Sequence, residues 1–99
     1  MSVEKNGVPT ITSVKDDKGL EIPNGGATSA TSVHLSGFAV TGEKVEILDG
    51  AVLKGQVIAS VEGYWALLLT GLMQGMHSIT AKGSAGTSPV RSFIVSAAK

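Results

Sequence analysis

Hydrophobic and polar residues alternate along this chain with a period of two, over short stretches separated by Gly, Asn and Asp. Such alternation sends successive side chains to opposite faces of a strand, whereas an amphipathic helix needs apolar residues at i, i+3, i+4 and i+7. No sustained helical pattern is present, and glycine recurs too often to leave a long helix intact. The pattern therefore predicts an all-β chain of short strands joined by tight turns.

A first strand is expected over residues 10–15, entered through Pro9 and anchored by Ile11 and Val14. Those two cannot share a face of a regular strand, so a bulge or break is expected between them. Residues 16–19 make a turn, Ile22 and Pro23 a short edge segment, and 24–26 a second turn. The pattern leaves open whether 20–31 is an ordered edge or a loop. Over 32–40, Val33, Leu35, Gly37 and Ala39 share one face, and His34, Ser36 and Phe38 the other. Val45 and Ile47 alternate with Lys44, Glu46 and Leu48, and the Asp49-Gly50 pair is a strong turn signal. Leu53, Val57 and Ala59 suggest the next strand, with Gly55 a candidate bulge. Trp65, Leu67 and Leu69 then face oppositely to Tyr64, Ala66, Leu68 and Thr70. Gly75 opens a strand in which His77, Ile79 and Ala81 alternate with Ser78, Thr80 and Lys82. After a small-residue loop over 83–88, the strand over 91–97 turns Phe93 and Val95 inward. About seven strands result, the count of a β-sandwich.

Several motifs recur in a fixed order. The stretch "SVHLSGFAVTGEKVEILDG" is followed by "KGQVIASVEGYWALLLTGLMQGMHSITAK" and then by "SFIVSA". Within these, Gly42, Val45, Ile47, Asp49 and Gly50 form G-x-x-V-x-I-x-D-G, and Gly63 and Trp65 form G-x-W. Leu72, Gly75 and His77 lead into Ser78 to Ala81 as L-x-x-G-x-H-S-I-T-A. The ordered set resembles the bacterial immunoglobulin-like repeats found in tandem within large surface adhesins, from about Pro9 to Val95. The resemblance implies an immunoglobulin-like β-sandwich of about seven antiparallel strands in Greek-key order, with 1–8 a disordered leader or linker and 9–97 the domain. It also gives the signature residues structural roles. Trp65 plugs the core, and His77 acts like a tyrosine corner, its ring bonding the backbone upstream. Asp49 and Gly50 shape a turn, Leu72 and Gly75 lead into the following strand, and Gly37 makes room for a larger neighbour such as Trp65.

Composition narrows the function. The 99 residues suffice for one domain, and a 42% apolar fraction supports a real core. Eight basic residues balance eight acidic ones, which removes the electrostatic footprint of a nucleic-acid binder. The longest apolar run, Trp65 to Leu69, is strand-sized, so no membrane insertion is expected. No basic start precedes a long apolar stretch, so an export signal is expected outside this segment. Cysteine is absent, which excludes thiolate metal sites and cysteine nucleophiles.

Catalytic constellations are missing as well. His34 is expected to point outward and His77 inward, on different strands, so neither converges with other ligands on a metal. No G-x-S-x-G elbow is present, and Gly25-Gly26 is followed by no Lys-Ser/Thr pair. Asp16, Asp17 and Glu21 form the densest acidic cluster, read as a solvated turn and not as a calcium site. No cofactor or metal is expected.

One departure from the repeat pattern stands out. Outward positions that are mostly Thr, Ser or Asn in the family are here Phe38, Tyr64 and Leu68, with His34 beside them. Pairing Gly37 with Trp65 would set Phe38 opposite Tyr64 and His34 opposite Leu68, as a candidate interaction strip. The expected function is a noncatalytic spacer module of a large repetitive bacterial surface protein. Its partners would be neighbouring immunoglobulin-like modules, with host protein or glycan bound through other modules. The alternative is a carbohydrate- or host-protein-binding sandwich, against which stands the small supply of aromatic residues.

Overall fold

A computed structural model describes residues 8–97, and all of the expected leader over 1–8 except Val8 lies outside them. The elements are β1 (Ser13–Lys15), β2 (Gly26–Thr28), β3 (Val33–Phe38), β4 (Lys44–Asp49), β5 (Val52–Ile58), β6 (Tyr64–Leu69), β7 (Gly75–Gly83), β8 (Gly86–Thr87) and β9 (Arg91–Val95). One sheet has the order β1-β3-β6; the other runs β2-β9-β7-β4-β5, with β8 added to β7. The two sheets face each other across a core containing Val14, Val33, Leu35, Val45, Ile47, Trp65, Ile79, Phe93 and Val95. These are the inward positions of the period-two pattern, so burial follows from alternation alone. The result is an immunoglobulin-like β-sandwich.

Two short strands, β2 and β8, supplement the seven expected, and β2 pairs parallel with β9, Ala27 lying opposite Ile94. The segment 20–31 is thereby an ordered crossing between sheets. Ile22 is buried and donates its N–H to the Val14 carbonyl at 2.7 Å. Farther on, the Asn24 side chain accepts the Ser92 N–H at 2.8 Å before β2 joins the second sheet. The edge bulge falls at Lys54, beside Gly55: Ile47 pairs with Gly55, but Leu48 pairs with Leu53. The extra residue turns Leu53 away from the core, and it is 53% exposed.

The N-terminal segment breaks between Ile11 and Val14, leaving only 13–15 as strand. Residues 8–12 begin against the second sheet, where hypothetical Cβ atoms on Gly86 and Gly83 would meet Val8 and Pro9. They end beside β3, the Thr10 and Thr12 N–H groups donating to the Phe38 and Ser36 carbonyls at 2.9 Å. The chain thus passes over Gly37. A Cβ on Gly37 would lie 1.7 Å from the Thr10 carbonyl oxygen, inside its van der Waals envelope. This corrects the expected role of Gly37. Trp65 is its cross-strand partner, but the space above Gly37 belongs to the backbone of Thr10 and Ile11.

Glu21 joins β1 to β9. Its carboxylate accepts the Ser13 hydroxyl at 2.7 Å and pairs with the Arg91 guanidinium at 2.8 Å. Desolvation by itself would raise the pKa of this carboxyl, but the Ser13 hydroxyl, the Val14 N–H and Arg91 outweigh it and hold the group below its ordinary value of 4.5. A lowered folded-state value stabilises the fold above the unfolded value, and that stabilisation disappears as pH falls through the folded one. The urea midpoint is therefore expected to fall between about pH 5 and pH 3 more steeply for the native chain than for Glu21→Gln. The effect is modest because the Glu21 side chain remains 46% exposed. Parallel pH profiles for the two chains would refute the linkage.

Candidate interaction surface

The two histidines lie in opposite settings. His77, on β7, is buried and stacks on Phe93 with centroids 5.4 Å apart. Its Nε2 lies 2.7 Å from the Met73 carbonyl, and its Nδ1 lies 2.5 Å from Asp49 Oδ2. Both ring nitrogens thus lie within hydrogen-bonding distance of an oxygen. Asp49 Oδ1 accepts the Ser78 N–H at 3.0 Å as well. Asp49 is therefore more than a turn former. With Gly50 at φ 62° and its N–H donated to the Ser78 carbonyl at 2.8 Å, it clamps the β4–β5 turn to β7. His77 extends the clamp to the β6–β7 connection, where Leu72 is buried and bonds to Thr31, and Gly75 takes φ 126°. The spacing of an Asp and a His 28 residues apart carries no signal of this contact; only the β4–β7 pairing brings them together.

Several other carboxylates are similarly committed. Asp16 Oδ1 accepts the N–H groups of Lys18 and Leu20, each at 2.9 Å, while Glu21 faces Arg91. Among the described residues no three His, Asp or Glu side chains converge as metal ligands. An open depression of about 310 Å³ is lined by Glu43, Lys44, Glu46, Lys82, Gly83 and Ser84. Glu43 there holds the Ser84 N–H at 2.6 Å and the Val40 N–H at 3.2 Å, so it braces two loops.

Opposite the core, the three-stranded sheet presents a surface of another kind. The β3–β6 register sets Phe38 opposite Tyr64, Ser36 opposite Ala66 and His34 opposite Leu68. Phe38 and Tyr64 meet edge to face at 6.1 Å, a favourable aromatic geometry. Tyr64 is 44% and Leu68 49% exposed. Ser36 interrupts the strip on β3, and Lys15 borders His34 from β1. The apolar character is continuous only along β6, through Tyr64, Ala66 and Leu68. Trp65 points the other way, 1% exposed, with its indole N–H donated to the Phe38 carbonyl at 3.2 Å.

No family model matches the chain, and a search of curated proteins finds no relative. Solved structures do share its fold. Part of a carbohydrate acetylesterase from Xanthomonas citri superposes on 75% of this chain and 17% of its own, with a TM-score of 0.61 and 16% identity. The fibronectin(III)-like modules of CbhA from Clostridium thermocellum match 83% of this chain and 93% of theirs, with a TM-score of 0.56 and 21% identity. The chain thus shares its β-sandwich fold with a fibronectin(III)-like module. The chain spans less than a fifth of the acetylesterase but nearly the whole of the CbhA module. Identities this low establish architecture alone.

Proposed function

We propose that the chain is a structural spacer module of a large repetitive bacterial surface protein, of the immunoglobulin-like adhesin-repeat kind, contributing to adhesion without catalysis. The observation that carries this reading is the placement of the first and last described segments. Val8 and Pro9 lie beside Gly86 and Gly83, at the end of β7, whereas Val95 pairs with Gly75, at its start. A strand of nine residues separates them, about 27 Å from end to end. Modules entered at one pole and left at the other extend when strung together. A core that closes without disulfides suits repeated use, and the ordered motifs from Val33 onward support the adhesin-repeat assignment. Its partners in that role are the flanking modules of the same chain.

Carbohydrate recognition is the second reading, favoured by the structural likeness to part of a carbohydrate acetylesterase. A glycan array probed with the chain, together with small-angle scattering of two copies joined in tandem, separates the two. A spacer retains no glycan and gives a tandem pair about twice the length of one copy. Saturable binding to one glycan class, or a tandem pair folded back on itself, would overturn the spacer reading.

A further inference from the structure

A sandwich presents strand edges to solvent, and three of the four here are blunted. The β1 edge is covered by residues 21–22, through Ile22 N–H to the Val14 carbonyl and the Lys15–Glu21 bridge. β2 has only three residues. β5 carries the bulge with Lys54, two devices that oppose strand addition. β6 has neither. Its six residues, Tyr64–Leu69, contain no charge, Pro, Gly or bulge.

Hydrogen-bond phase shows which β6 groups are available. The Ala39 N–H donates to the Gly63 carbonyl at 2.9 Å, so odd-numbered residues of this segment face β3. Tyr64, Ala66 and Leu68 therefore direct their backbone groups to the open side. Both groups of Tyr64 are occupied, its carbonyl by the Ser60 N–H at 2.8 Å and its N–H by Ser60 Oγ at 3.2 Å. Ala66 and Leu68 are exposed, and their backbone groups have no partner outside the ladder among the described residues.

We propose that β6 of a second copy of this chain adds antiparallel to this edge, with Ala66 opposite Leu68 of the second copy and Leu68 opposite its Ala66. Two donors and two acceptors on each copy close four hydrogen bonds about a two-fold axis at Leu67. Two of the neighbouring registers fail for stated reasons. Centring on Ala66 would drive the second copy's Leu68 into the Ser60 turn, and a one-residue slip would set outward residues against inward ones. No charge within either β6 opposes the approach. The narrow side of the sandwich, 42 Å by 19 Å, sets an upper limit of about 800 Å² per copy on the area such a pairing can bury. This pairing goes beyond the spacer role and stands independently of it; in an array it would tie chains side by side.

Sedimentation of the chain from about 10 µM to about 1 mM, with amide exchange followed at both ends of that range, tests the pairing. Expected is a concentration-dependent dimer in which the Ala66 and Leu68 amides become protected, while the Tyr64 amide is protected throughout. Leu68→Lys should weaken association by about tenfold or more and leave the thermal midpoint nearly unchanged, because residue 68 is half exposed. Ile58→Lys, on the β5 edge, should leave association within about twofold. A chain that stays monomeric at about 1 mM overturns the proposal, as does a dimer whose Ala66 and Leu68 amides exchange as fast as in the monomer.

Discussion

Gly37→Ala is expected to destabilise the chain by about 3 kcal/mol or more, lowering the thermal midpoint by roughly 12–24 °C. The cause is not glycine's flexibility, since the residue sits in a regular strand with no positive φ. It is a collision. The added methyl would stand 1.7 Å from the Thr10 carbonyl oxygen and 2.7 Å from its carbon, and backbone cannot rotate aside as a side-chain tip can. Relief requires lifting residues 9–11 off β3. That breaks the bond from Thr10 N–H to the Phe38 carbonyl and uncovers Ile11 and the buried Pro9. Against a domain stability of about 5–15 kcal/mol, such a loss is large. Calorimetry on both chains measures it, and a second pair lacking the first eleven residues isolates the cause. In the shortened background the same substitution should cost less than about 1 kcal/mol, because the obstructing carbonyl is gone. An equal cost in both backgrounds would place the conflict elsewhere.

Asp49→Ala is expected to cost about 2 kcal/mol, the usual consequence of leaving largely buried hydrogen-bond donors without their acceptor. The substitution strips the acceptor from His77 Nδ1 and from the Ser78 N–H together. Both side chains of the pair are largely buried, at 10% exposure for His77 and 18% for Asp49, so water replaces the lost bonds poorly. Asp49→Asn keeps a neutral oxygen for the Ser78 N–H and should lose less than the alanine variant. Urea unfolding of Asp49→Ala, His77→Ala and the double variant separates the pair from its surroundings. A coupling of about 1 kcal/mol or more is expected. Additive losses would mean that His77 is held by Met73 and Phe93 alone, and the clamp would then not exist as described.

The two variants mark different depths of legibility. The clamp was half visible. The G-x-H motif suggested a corner ring, and the Asp49-Gly50 pair a turn, but the turn reading left the carboxylate no role across the sheet. Residues adjacent in the β4–β7 ladder are distant in sequence, and no local pattern records which partner a side chain will meet. Gly37 was legible as a position needing space, whereas the claimant was mistaken. A tryptophan in register is conspicuous in a sequence; a backbone crossing is not, because any residue could supply that carbonyl.

The candidate surface divides the same way. Period-two alternation placed Phe38, Tyr64 and Leu68 outward and His34 beside them, and the register pairs them in that order. That part depends only on strand geometry, which is local. The open β6 edge depends on which strands pair and which turns fold back, and Ser60 reaching Tyr64 is a contact of the folded chain alone.

By itself, then, the sequence determined the strand pattern, the sandwich class, the inward and outward faces, and the balance of charge. Each follows from the order of apolar and polar residues and from the pleat. The tertiary structure decided what crosses Gly37, what Asp49 holds, where the Lys54 bulge turns Leu53 outward, and which edge is left unpaired. The physical reason is common to all four: they are set by contacts between elements, and those contacts exist only once the two sheets have closed on a shared core.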